Sequence, residues 1–127
     1  MQIHFISAAV VCVLVAIVHS LLGELLIFRK LRTRGVVPTE AAAPLRSGNI
    51  RILWATWHLA SVFGLGFAII LFAIATGRIA PDPYILHAVI WAFTGSSALV
   101  LLATRGKHPG WVGLLAVALL GAPRLPR

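Results

Sequence analysis

Long apolar runs separated by short polar segments dominate the chain. The runs cover residues 3–28, 50–76, 84–104 and 110–122. At 1.5 Å per helical residue, each of the first three is long enough to cross a hydrocarbon core of about 30 Å. The pattern predicts an all-α integral membrane protein, a four-helix transmembrane bundle forming a single membrane domain over residues 1–127. We expect the first run to be retained rather than cleaved, because it exceeds the hydrophobic region of a signal peptide.

The fourth run is short for a membrane span. Residues 110–122 extend about 20 Å as a helix before Pro123 interrupts them. The segment is therefore either re-entrant or a full crossing made where the bilayer thins and Arg124 and Arg127 snorkel to the surface. We expect the full crossing. For the third helix, Asp82 predicts an N-terminal cap and Pro83 a first helical position.

Charge is sparse and placed beside the runs. The chain is 60% hydrophobic and 11% charged, with a formal net charge of +8. Eight basic residues flank the runs on one side and three on the other. This asymmetry predicts a bacterial inner-membrane protein with a cytoplasmic basic loop at 29–49 and both termini extracytoplasmic. We expect residues 29–51 to contact anionic lipid headgroups and the first helix to continue through the basic segment as far as Gly35; we expect no nucleic-acid partner. On the cytoplasmic side lie Arg29, Lys30, Arg32, Arg34, Arg46, Arg51, Arg105 and Lys107, and on the other Arg78, Arg124 and Arg127.

Known catalytic signatures are missing from the sequence. It contains no His-Glu-x-x-His, no Gly-x-Ser-x-Gly and no phosphate-binding glycine loop, which argues against a hydrolase, a protease or a kinase. Its one cysteine, Cys12, excludes a disulfide framework and a cysteine-based zinc site. Whether the protein is an enzyme is left open.

Ionisable residues inside the spans are the candidate functional groups, because a charge in the bilayer is costly and usually marks a function. His19 and His58 lie at similar depths on antiparallel neighbours, so we expect them to approach each other. Glu24 and Arg51 lie nearer the cytoplasmic interface, where we expect a buried ion pair.

The histidine pair is compatible with a cofactor. His19 and His58 are candidate ligands of a b-type haem, with Trp54 in its wall and Arg51 near a propionate, or of a metal ion. His4 and His87 form a second, weaker pair near the outer face. The pattern of transmembrane histidines resembles that of membrane b cytochromes, which implies electron transfer.

Three functions stay open at this point. The first is a small accessory subunit of a larger membrane complex, with other membrane subunits or copies of itself as partners. The second is an independent proton-linked transporter, since the chain is similar in size and outline to the small multidrug resistance transporters. The third is purely structural helix packing, with His58 bound to Ser20 or Glu24. Small residues predict packing surfaces on three helices, at Gly64 and Ala68, at Ala88, Ala92 and Ser96, and at Gly110, Gly113 and Gly121.

Overall fold

The computed structural model describes residues 2–122, which are all-helical and contain no β-strand. Three helices are long and apolar enough to cross a membrane, and the fourth is a shorter apolar helix, which confirms the all-α prediction. Arg124 and Arg127 lie outside the described residues. The α-helices are α1 (Ile3–Leu26), α2 (Ser47–Ala75), α3 (Pro83–Thr104) and α4 (Gly110–Gly121), and a short 3₁₀ helix covers Phe28–Leu31.

The end of α1 differs from the sequence-based expectation. We expected the helix to continue as far as Gly35, but it ends at Leu26 and a 3₁₀ helix follows. Phe28 is the reason, because its ring is buried at 3% exposure and must turn inward. The chain then doubles back, and the backbone N–H groups of Thr39 and Glu40 both donate to the carbonyl of Leu31 at 2.9 Å.

The helix boundaries after α2 follow the local signals. Asp82 accepts hydrogen bonds from the backbone N–H groups of Tyr84 at 2.9 Å and Ile85 at 3.0 Å, with Pro83 at the first helical position. This confirms the predicted cap. Gly77 adopts φ +73°, a left-handed conformation that suits glycine, directly after α2.

The described residues divide into two compact units. The first unit, drawn from residues 1–15 and 64–127, contains one apolar core to which all four helices contribute. Gly113 lets α4 approach α1 closely, since a Cβ there would lie 2.6 Å from Val15 Cγ2. Ala68 is buried, whereas Ala88, Ala92 and Ser96 on α3 are exposed. The buried core consists of Phe5, Ala8, Ala9, Cys12, Ala68, Leu71, Ile74, Ala75, Leu86, Val89, Phe93, Val117 and Ala118.

The second unit, residues 16–63, contains the end of α1, the 3₁₀ helix, the basic loop and the start of α2. Side-chain contacts set an antiparallel register, with Ser20 at the level of His58 and Glu24 at the level of Trp54. Continuing this register by four to seven residues brings the first turn of α2 level with the 3₁₀ helix. The unit holds all the polar residues of the candidate site described next.

Candidate functional site

A hydrogen-bonded chain centred on His58 joins α1 to α2. Ser20 Oγ lies 2.8 Å from His58 Nδ1 and 3.0 Å from Ser61 Oγ. Ser20 has one hydroxyl proton, so two arrangements satisfy these contacts. In one, Ser20 donates to Ser61 and accepts from Nδ1–H. In the other, Ser20 donates to Nδ1 and His58 carries its proton on Nε2.

The second ring nitrogen of His58 faces the carboxylate of Glu24. Nε2 is buried and lies 3.6 Å from Glu24 Oε2, and it makes no hydrogen bond to any residue between 2 and 122. The same carboxylate accepts a hydrogen bond from Trp54 Nε1 at 3.3 Å and forms an ion pair with Arg32. His58 is thus flanked by a hydroxyl on one side and an anion on the other.

Aromatic rings lie beside the hydrogen-bonded residues around His58. The imidazole of His19 stacks on Trp57, with centroids 4.4 Å apart and planes at 7°, and Trp57 Nε1 donates to the carbonyl of His19 at 3.0 Å. Gly23 makes this approach possible, because a Cβ at that position would collide with the Trp57 indole. The ring of Phe28 lies edge-on to Trp57, and its centroid is 6.1 Å from that of His58.

The cation that neutralises Glu24 is Arg32, not Arg51 as we expected from the sequence. The turn after α1 returns the chain towards its own last helical turns and places the guanidinium of Arg32 on Glu24. Arg51 is exposed on α2. The ion pair is therefore local to the α1 end of the chain, and its side chains keep 19% and 27% exposure for Arg32 and Glu24.

Three of the predicted cofactor residues, His19, Trp54 and His58, lie in the second unit, where Trp54 contacts His58 and His19 stacks on Trp57. The weaker pair lies in the first unit, where the His4 ring contacts Phe5 with centroids 4.2 Å apart and His87 is exposed on α3. His108, at the start of α4, accepts a hydrogen bond from the backbone N–H of Gly110 at 3.1 Å through Nδ1.

The two imidazoles of the predicted haem site differ in their surroundings. Axial ligation would require His19 and His58 each to present a ring nitrogen to iron, with the macrocycle between them. Trp57 stacks on the face of the His19 ring, and His58 Nδ1 is engaged by Ser20 while Nε2 faces Glu24. Within residues 2–122 no three His, Cys, Asp or Glu side chains are grouped to hold a metal ion.

Three residues that help to form the candidate site were not predicted from the sequence. Arg32 follows Glu24 by eight residues, a spacing that only a chain reversal can close. Phe28 reads as the last residue of an apolar span, with no sign that it turns inward. Gly23 did carry a signal, since small residues in membrane helices allow a neighbouring helix to approach closely.

No protein family model, curated protein or solved structure matches the chain.

Proposed function

We propose that this protein transfers protons through the α1–α2 cluster, as a small multi-pass protein of a bacterial inner membrane. One observation carries the proposal: the imidazole of His58 bridges the Ser20 hydroxyl, at 2.8 Å, and the Glu24 carboxylate, at 3.6 Å. Ionisable side chains within membrane segments are typical of proton relays, and an imidazole can accept a proton on one ring nitrogen and release one from the other.

The relay needs only water as the proton carrier at its two ends. A proton passes from the Ser20 hydroxyl to His58 Nδ1 while the Nε2 proton passes to the Glu24 carboxylate. Ser20 regains a proton from Ser61, and Ser61 takes one from a hydronium ion. Glu24 then releases its proton to water at the basic loop, beside the positive charge of Arg32. A flip of the His58 ring, which turns the deprotonated nitrogen back towards Ser20, returns the relay to its starting state.

The proposal includes a topology. The distribution of basic residues supports a cytoplasmic 29–49 loop and extracytoplasmic termini, so Glu24 would lie on the cytoplasmic side. We also propose that α4 crosses the bilayer despite its twelve residues, because its glycines pack it against long helices of the first unit.

Proton flux in vesicles tests the function. The purified protein is reconstituted into vesicles loaded with a pH-sensitive dye, and a valinomycin potassium potential, negative inside, drives proton entry. We expect entry above that of protein-free vesicles, with a fall to the vesicle background in His58→Ala and Glu24→Gln. The matched control is His87→Ala, an exposed histidine outside the cluster.

Two results would overturn proton transfer. One is wild-type flux no greater than that of empty vesicles, and the other is His58→Ala vesicles that conduct like the wild type. Circular dichroism and elution volume in detergent verify that each variant is folded before its flux is compared.

A role as a small subunit of a larger membrane complex is the second candidate. The observation in its favour is that Ala88, Ala92 and Ser96, a small-residue stripe of the kind that packs helices closely, are exposed rather than used in the core. In mild-detergent extracts of native membranes we expect the chain to elute as a large species, and Ala92→Leu to release it. Elution of the wild type as a monomer would contradict this role.

Haem ligation by His19 and His58 stays a prediction from the sequence. An absorption spectrum of the protein, oxidised and then reduced with dithionite, tests it directly. A Soret band that is lost in His19→Ala and in His58→Ala would establish axial ligation and replace proton transfer by electron transfer. Because the proposed relay occupies both ring nitrogens of His58 with Ser20 and Glu24, we expect no such band.

A further inference from the structure

Cations gather at one end of the second unit. The antiparallel register places the start of α2 level with the 3₁₀ helix, so Arg29, Lys30 and Arg51 lie at the same end of the hairpin. All three are exposed, as are Arg34 and Arg46 in the connecting loop. Glu40 is the one acidic residue in the loop 29–51, and Glu24 is already paired with Arg32. The surface therefore carries a strong excess of positive charge.

Apolar side chains are interspersed with these cations. Val36 is 71% exposed, Leu45 is 46% exposed, and Ile27 and Val37 are also exposed. The loop is nevertheless folded, because Thr39 and Glu40 are hydrogen-bonded to Leu31 and Pro38 is fully buried. A folded surface that alternates cations with apolar side chains matches the headgroup region of a bilayer, where phosphate lies beside acyl chains. A free phosphate ion would make no use of the apolar side chains.

Arg32 has a donor that its known partner does not use. One terminal nitrogen of its guanidinium pairs with Glu24, while Nε is buried and has no acceptor among residues 2–122. A guanidinium carries five N–H donors in a fixed fork and can hold two anions at once. The Arg32 side chain as a whole keeps 19% exposure.

We propose that the 29–51 surface binds the phosphate of an anionic phospholipid, and that Arg32 shares its guanidinium between this phosphate and Glu24. The exposed cations attract the headgroup, the apolar side chains lie against its acyl chains, and Arg32 donates the second hydrogen bond. The inference does not depend on proton transfer, because it concerns the loop surface and not His58.

Spin-labelled lipids measure this binding on the full chain. The protein is reconstituted into phosphatidylcholine vesicles with a trace of spin-labelled phosphatidylglycerol or spin-labelled phosphatidylcholine, and electron spin resonance gives the immobilised fraction of each. We expect a severalfold preference for phosphatidylglycerol. One cation near a membrane surface contributes a factor of about five, so Arg34→Gln should lower the preference by up to that factor. The matched control is Arg78→Gln, which removes an exposed arginine from the first unit.

A second variant separates a specific phosphate site from general attraction. Arg32→Lys keeps the charge but lacks the guanidinium fork. We expect it to lose part of the preference even though its net charge equals that of the wild type. Should Arg32→Lys fail to fold, the triple variant Arg29→Gln, Arg34→Gln, Arg46→Gln, which changes only exposed side chains, is expected to abolish the preference.

Three outcomes would overturn the proposal. Equal immobilisation of the two lipids by the wild type would show that the surface does not select anionic lipid. An equal loss in Arg34→Gln and Arg78→Gln would show that only total charge matters. If inorganic phosphate displaced phosphatidylglycerol more than chloride did at the same ionic strength, the site would be one for the free ion.

Discussion

The two units of this protein are held together by different interactions. In the first unit four helices share an apolar core. Its interhelical side-chain hydrogen bonds include Cys12 Sγ to the Gly64 carbonyl at 3.0 Å and Ser97 Oγ to the Trp111 carbonyl at 2.8 Å. In the second unit two helix segments meet around Glu24 and His58. Lipid provides no hydrophobic drive for either. The first unit therefore combines an apolar core with hydrogen bonds to backbone carbonyls, whereas in the second unit polar side chains bind to each other.

Removing the cation from Glu24 should give the largest effect. Arg32→Gln leaves a partly buried carboxylate without its ion-pair partner. Breaking a fully buried pair costs about 3–5 kcal/mol, and partial exposure reduces this to roughly 2–3 kcal/mol. The measurement is the free energy of unfolding in mixed detergent micelles, with the exposed Arg34→Gln as control.

The pH dependence of this free energy and a double-mutant cycle can contradict the prediction. Acidification protonates Glu24, so the penalty of Arg32→Gln should shrink as the pH falls, and Glu24→Gln should rescue Arg32→Gln in a double-mutant cycle. A penalty that is independent of pH and additive with Glu24→Gln would show that the pair does not stabilise the unit.

Filling the space at Gly23 should have the next largest effect. Gly23→Ala places a methyl group against the Trp57 indole and forces the helices apart or the ring to turn, at a cost of about 1–3 kcal/mol. Gly66→Ala, where nothing lies within 4 Å, is the control and should be neutral or stabilising. Trp fluorescence during unfolding measures the stability of both variants. Equal stability of the two would contradict a close contact between Gly23 and Trp57.

Truncating a core side chain of the first unit should lower the free energy of unfolding by less than it would in a water-soluble protein. Leu71→Ala removes a fully buried side chain of the core, but in a membrane only the lost packing counts, on the order of 1–2 kcal/mol. Leu119→Ala, at 69% exposure, is the control. The loss of free energy of unfolding in Leu71→Ala should not vary with pH, unlike that in Arg32→Gln. A pH-dependent loss in Leu71→Ala would contradict the conclusion that the two units are held together by different interactions.

Loss of the Ser20 hydroxyl should have the smallest effect. Interhelical hydrogen bonds in membranes contribute about 0.6 kcal/mol each, so Ser20→Ala, which breaks two, should cost about 1 kcal/mol. The exposed Ser96→Ala is the control. The proton flux, by contrast, should fall strongly, and unchanged flux would remove Ser20 from the relay.

Much of the architecture could be predicted from the sequence because membrane helices follow from length and hydropathy. Asp82 and Pro83 fixed the start of α3 for the same kind of local reason. Equal depths on antiparallel helices predicted that His58 lies at the level of His19, and the contact of His58 with Ser20 was one of the predicted alternatives. Arg32 could not be found this way, since its position depends on a chain reversal produced by the burial of Phe28. Which small-residue stripe packs inside also depends on helix rotation, as exposed Ala92 and buried Ala68 show.

The local character of the Glu24–Arg32 pair has a consequence for biosynthesis. The two residues emerge from the ribosome only eight positions apart, before any of α2 has emerged. In the membrane topology proposed above, the nascent first helix therefore brings its own counter-charge to the translocon and partitions into lipid with its carboxylate neutralised. A pair with Arg51 would delay that neutralisation until a second helix arrived. We therefore expect α1 to insert without α2, and the two helices to pair afterwards.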